Sequence, residues 1–112
     1  MEDERLMRSM LFDFYGDLLT DKQRECFNLY YHEDLSLSEI AEQRDISRQA
    51  VWDNIRHAEM TMREYERKTG LIARFEQTRD TLLEVRRLLD KLPPSEESAV
   101  LITKVEGLLD SI

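Results

Sequence analysis

The side chains best suited to chemistry in this chain are hydrogen-bond donors and a flat ring, not nucleophiles. Arg48, Gln49, Trp52, Asp53 and Arg56 lie in one short stretch. At helical spacing, Val51 and Ile55 turn inward and those five turn outward. An arginine takes a guanine edge through two parallel bonds, and a glutamine reads adenine in the same way, so Arg48 and Gln49 are the candidate base readers. Arg56, with Lys22 and Arg24 from an earlier segment, supplies cations of the type that meet phosphates. Two readings stay open for this surface: contact with base edges, or an amphipathic helix that faces solvent or a protein and whose Arg48 bonds a neighbouring acid. Trp52 is the one tryptophan. Its register gives it partial exposure, as an interface anchor beside arginine or as a ring packed against the N-terminal helix or the C-terminal hairpin.

Other chemistries find no support. His32 and His57 stand far apart without ligand spacing. Cys26 has no paired histidine and reads as a small core residue. The 24 carboxylates fall in caps and on helix exteriors, with no pair set apart for acid–base work. No Gly-rich phosphate loop is present. The sequence therefore calls for no enzyme, no metal and no cofactor.

The elements that must position these residues are helices. With 3 Gly and 2 Pro in 112 residues, breakers are scarce. Residues 1–19 read as one helix in which Leu6, Met7, Met10, Leu11, Phe14 and Leu18 recur at helical spacing and Phe12 and Tyr15 widen the apolar arc. Thr20-Asp21-Lys22-Gln23 is a capping box that opens the next helix, with Phe27, Tyr30 and Tyr31 inside and Cys26 and Leu29 beside them. Ser36-Leu37-Ser38-Glu39 is a second capping box. It starts a short helix with Leu37, Ile40 and Ala41 inside. Asp45-Ile46 makes the turn and Ser47 caps the helix that follows. Two short helices joined by a tight turn form a helix-turn-helix pattern, with the outward residues named above at the start of its second helix. Leu37, Ile40, Ala41, Ile46, Val51, Ile55 and Ala58 are its expected core.

The second helix runs on. Val51, Ile55, Ala58, Met62 and Tyr65 continue one stripe until Thr69-Gly70, which gives an elongated helix over 48–68 inside a helix-turn-helix domain of 1–68, core 20–58. A helix-turn-helix needs only its first half, so the second half requires another packing surface. Leu71, Phe75, Thr78, Leu82, Val85, Leu89 and Leu92 form a heptad stripe, Pro93-Pro94 breaks it, and Ser95-Glu96-Glu97 restarts a helix with Leu101, Val105, Leu108 and Ile112 in the same rhythm. Residues 69–112 thus read as a helical hairpin whose stripes cover the long helix or a second copy of the chain. The surplus of apolar surface predicts a homodimer.

Composition sets limits. Hydrophobic residues make up 41% and charged residues 36%, with formal net charge −8. From Thr20 to Lys68 there are 8 Lys and Arg against 11 Asp and Glu. No segment is basic, so any affinity for double-stranded DNA is weak in one copy and depends on a dimer that sets two helices a turn of duplex apart. No run of apolar residues reaches membrane-spanning length. The acidic Met1-Glu2-Asp3-Glu4 start is unlike a signal peptide, and the single cysteine has no internal partner, so the expected location is the cytoplasm, without membrane insertion.

Residues 19–58 resemble region 4 of the sigma factors. Leu19-Thr20-Asp21-Lys22-Gln23-Arg24-Glu25, Leu29-Tyr30-Tyr31, Asp34-Leu35-Ser36-Leu37-Ser38-Glu39-Ile40-Ala41-Glu42 and Ile46-Ser47-Arg48-Gln49-Ala50-Val51 follow that pattern in order. The Val51, Ile55, Ala58 spacing fits the extracytoplasmic-function branch. Over a longer stretch, Leu11-Phe12-Asp13-Phe14-Tyr15-Gly16, Leu18-Leu19-Thr20-Asp21-Lys22-Gln23-Arg24, Asp34-Leu35-Ser36-Leu37 and Ser47-Arg48-Gln49-Ala50-Val51-Trp52-Asp53-Asn54-Ile55 are similar to the YlxM family of Gram-positive bacteria and mycoplasmas. These resemblances imply an all-α fold: a sigma-70 region 4-like helix-turn-helix, a winged-helix-like or homeodomain-like three-helix core, with an N-terminal helix and a C-terminal helical hairpin. They also imply a regulator-like protein. Family members are encoded beside the Ffh GTPase and its receptor FtsY, which implies a part in the signal recognition particle pathway with those components as partners. The chain departs from the sigma pattern at Trp52, Asp53, Asn54, His57 and Glu59, where sigma recognition helices are basic, and at Asp45, where the turn usually holds glycine.

Overall fold

A computed structural model describes residues 2–112. Every regular element is helical: α1 (Glu2–Tyr15), a 3-10 turn (Gly16–Leu18), α2 (Asp21–Tyr31), α3 (Leu37–Arg44), α4 (Arg48–Thr69), α5 (Leu71–Leu89) and α6 (Glu96–Ser111). The all-α expectation holds. The expected helix start at Met1 lies outside the described residues. The described residues fall into two compact units, the first ending at Gly70 and the second running Leu71–Ile112.

Helix starts follow the caps. Thr20 accepts from the Gln23 amide while the Gln23 side chain returns to the Thr20 amide, and Ser36 and Glu39 repeat the exchange. The Ser47 hydroxyl accepts from the Ala50 amide. Each cap satisfies donors that a helix start leaves open. Helix ends are set by left-handed residues. Asp45 closes α3 at φ 55°, and Gly70 closes α4 at φ 64°. Arg67 and Lys68 sit in the last turn of α4, where the helix dipole favours cations.

The first unit is built on α4. Helices α1, α2 and α3 each pack against it, and α2 also packs on α3. Phe27, Ile40, Val51, Ile55, Ala58 and Met62 are fully or almost fully buried, with Leu11, Tyr15, Leu19, Cys26 and Ala41 around them. Of the expected helix-turn-helix core, Leu37 and Ile46 are only half-buried. The Phe12 ring stacks on Phe27 at 5.3 Å, and Phe27 meets Tyr31 at 4.8 Å.

The N-terminal helix differs from expectation in two ways. It stops at Tyr15 and gives way to the 3-10 turn instead of continuing to Leu19. A Cβ on Gly16 would lie 3.2 Å from the Phe12 ring, so the chain turns where only glycine fits comfortably. The inward stripe is also rotated. Leu11 and Tyr15 are buried while Leu6, Phe14 and Leu18 are exposed. The Tyr15 hydroxyl explains the rotation: it donates to Glu66 Oε1 at 2.7 Å, which lets a polar-tipped ring occupy the core position.

That contact also gives the second half of α4 a packing surface within the first unit. There α1 packs along α4 through Tyr15 to Glu66, Arg8 to Glu59 and Arg63 to Glu4. Tyr15 lies 5.9 Å from the Tyr65 ring.

In the second unit α5 pairs with α6. Ser95 caps α6 by exchanging bonds with Ser98. Arg86 links the two helices through Glu106 at 2.9 Å. The expected α6 stripe is out of register. Val105 is buried and Ile102 and Leu109 are half-buried, whereas Leu101, Leu108 and Ile112 face outward. In α5, Phe75, Leu82 and Leu89 are sheltered as expected, but Leu71, Thr78, Val85 and the following Leu92 are exposed and Ile72 is buried instead. Both helices carry apolar residues around more than half their circumference, so periodicity alone does not choose the inward face.

Candidate nucleic-acid interface

The capping residues bring two helix starts to one face of the first unit. Ser36, Leu37 and Ser38 at the start of α3 line a shallow groove with Ser47, Arg48 and Gln49 at the start of α4. The groove measures about 740 Å³, and Tyr30 and Trp52 form its aromatic wall. Amide groups at a helix start carry partial positive charge and suit anions. Arg48 is exposed and forms no ion pair or hydrogen bond among the described residues. Its guanidinium therefore extends from the start of α4 uncommitted.

The neighbouring positions are less free. Gln49 Nε2 donates to Asp53 Oδ1 at 2.9 Å, one turn along the same helix. Arg24 donates to Asp21 at 3.1 Å and lies 3.8 Å from Asp17, so most of its charge is met within the chain. Arg44 is paired with Glu25 at 3.0 Å. Lys22 and Arg56 are exposed and form no ion pair among the described residues. Trp52 is half-buried, edge-on to Tyr30 at 6.1 Å. Its packing partner is thus in α2, a neighbour that neither sequence reading had named. The structure brings Arg48, Gln49 and Trp52 together in one groove and leaves Lys22 and Arg24 outside its lining.

Behind this groove sits a network that sequence reasoning missed. Arg8 Nε donates to Glu59 Oε1 at 2.8 Å, Arg63 Nε donates to Glu59 Oε2 at 3.0 Å, and the Arg8 guanidinium stands 4.9 Å above the Tyr31 ring. Burial works to raise the Glu59 carboxyl. The bonds and charges of the two arginines outweigh it and hold the group below the ordinary carboxylate range. Donating to Glu59 in turn raises Arg8. Burial pushes the Tyr31 phenol up. The Glu59–Arg63 spacing is an ordinary i,i+4 helix pair and was visible in the sequence. Arg8, from α1, was not.

Among the described residues, no group of three or more His, Cys, Asp or Glu side chains is placed to hold a metal ion. No helix among them is long and apolar enough to cross a membrane. Cys26 is buried, and its burial raises the thiol. A protonated, inaccessible thiol is a poor nucleophile.

Residues 2–102 match the family model described as "UPF0122: Putative helix-turn-helix protein, YlxM / p13 like". The chain belongs to this family. Similar members include a UPF0122 protein of Halalkalibacterium halodurans, 46% identical over 96% of this chain and 99% of that protein. One from Shouchella clausii has the same identity and coverage. A third, from Caldanaerobacter subterraneus subsp. tengcongensis, is 52% identical over 69% of this chain and 66% of its own. In this UPF0122 chain α3 and α4 are two consecutive helices joined by the tight turn at Asp45.

Proposed function

We propose that this chain is a regulatory helix-turn-helix protein that binds double-stranded DNA with the start of α4 in the major groove. Arg48 reads a guanine edge there, and the start of α3 lies against the flanking phosphates. The observation that carries this reading is the uncommitted Arg48 set between two capped helix starts in one groove. Trp52 walls the groove, and Arg56 and Lys22 supply phosphate contacts from its surroundings. Gln49 contributes once its amide leaves Asp53. With so few free cations, one copy binds weakly and a dimer is required. The second unit supplies the means: Leu83, Leu88, Leu101 and Leu108 are exposed there, more apolar surface than a lone hairpin retains in water. The resemblance to the YlxM family, whose members are encoded beside Ffh and FtsY, supports assigning the regulator a part in the signal recognition particle pathway.

Mobility shifts at low salt with pooled genomic fragments test the reading. The native chain retards a subset of fragments and Arg48→Ala loses about tenfold or more in affinity, on the scale of one lost bidentate base contact. Absence of any shift rejects it. Sedimentation at micromolar concentration gives a dimer; a monomer there removes the hairpin's assigned role.

One observation favours a second reading, in which the same fold binds a protein. The chain carries net charge −8, and Arg24, a candidate phosphate contact, is already paired with Asp17 and Asp21. Ffh, FtsY and RNA polymerase are then the partners to test by pull-down.

A further inference from the structure

Trp52 borders a second concavity besides the groove at the helix starts. This cleft of about 370 Å³ lies between α1, α2 and α4. Its apolar part is Tyr31, Trp52, Ile55 and Met60, and Arg8, Arg56 and Arg63 stand around it. Met60 is 61% exposed in mid-helix, out of phase with the buried Val51, Ile55, Ala58, Met62 stripe. A long unbranched thioether left in water at the mouth of a cleft is a soft contact surface.

The polar chemistry of the cleft runs one way. The sole carboxylate in its lining is Glu59, held by Arg8 and Arg63, and Glu4 pairs with the same two arginines from outside the lining, which leaves Arg56 as the unpaired cation among the described residues there. Arg56, the Tyr31 hydroxyl and the Trp52 indole N–H form no hydrogen bond among the described residues. All three are donors, and an arginine and an indole have no acceptor to offer. A chain of net charge −8 thus keeps its locally basic, donor-rich concavity beside aromatic rings. The volume suits one large apolar side chain, and Arg and Trp at the edge are the residue types that dominate protein anchors.

We propose that this cleft docks an acidic segment of a partner protein, with one bulky apolar side chain seated among Tyr31, Trp52 and Met60 and a flanking carboxylate on Arg56. Nucleic acid fits less well, because the seat formed by Tyr31, Trp52, Ile55 and Met60 takes an aliphatic side chain, which a phosphodiester backbone does not carry. The inference deepens the protein-binding reading and does not require duplex binding.

Selection of random dodecapeptides displayed on phage against the full chain tests it. The expected result is a consensus of Asp and Glu flanking Leu, Ile, Phe or Met. A synthetic peptide of that consensus then shifts the emission of Trp52, the sole tryptophan. Met60→Glu and Arg56→Glu, both at exposed positions, each weaken the peptide at least tenfold while thermal melts stay cooperative. Arg48→Ala leaves peptide affinity unchanged, and Met60→Glu leaves duplex affinity unchanged, which separates failure of this site from failure of the groove. A basic consensus, no consensus, binding that survives both variants, or displacement of the peptide by a short oligonucleotide overturns the proposal.

Discussion

Gln49 donates its side-chain amide to Asp53 across one turn at the exposed start of α4, at 2.9 Å. The bond ties up a candidate base reader and holds a carboxylate near the start of α4. Removing the acid frees the amide and lifts a like-charge penalty against phosphate. Asp53→Ala is expected to raise duplex affinity by about fivefold at low salt, with the gain shrinking as salt screens it. Fluorescence anisotropy against one duplex at two salt concentrations measures this. Unchanged affinity means that this end of α4 does not approach DNA.

The two helix-ending residues make opposite predictions. Gly70 has φ 64° and nothing within 4 Å of an added Cβ, so Gly70→Ala costs only backbone strain, about 1 kcal/mol. Asp45 holds the same region at φ 55° as a non-glycine residue. Asp45→Gly relieves that strain and is expected to stabilise by up to ~1 kcal/mol, less the entropy glycine adds to the unfolded chain. Urea melts of both variants check the signs.

Glu59 accepts from Arg8 and Arg63 with its side chain 21% exposed. Glu59→Gln keeps the shape and loses the charge, and is expected to cost about 1–3 kcal/mol at pH 7. Because the folded carboxyl lies below its ordinary value, its contribution is complete above the unfolded value of ~4.3 and is lost as pH falls through the folded one. The stability gap between native and variant therefore closes in acid. A gap that stays constant down to pH 3 contradicts the assigned role.

Local chemistry was legible in the sequence, and the rotation of helices was not. Thr20, Ser36, Ser47 and Ser95 each announced a helix start, because a cap depends only on residues three positions away. Gly70 announced a stop for the same reason. The stripe Val51, Ile55, Ala58, Met62 was read correctly because polar residues bound it on both sides. Helix α1 and the hairpin helices lack that contrast. Tyr15 in place of Phe14, and Ile102 in place of Leu101, were decided by partners distant in the chain. Of the candidate site, Arg48 and Trp52 could be placed on a face. The Gln49–Asp53 and Arg24–Asp21 bonds were available as i,i+4 and i,i+3 pairs and went unread. The Arg8–Glu59 link and the cleft beside Met60 needed the packing of α1 on α4, for which the one sequence signal was an apolar Met60 out of phase with its stripe.

The central claim is that the paired starts of α3 and α4 form the duplex-binding face. It is tested most directly by backbone amide NMR during titration with a duplex that the chain retards. The account predicts shifts concentrated at Ser36–Glu39 and Ser47–Val51 and abolished in Arg48→Ala. Perturbation centred on other residues, or the same shifts in the Arg48→Ala protein, would contradict it.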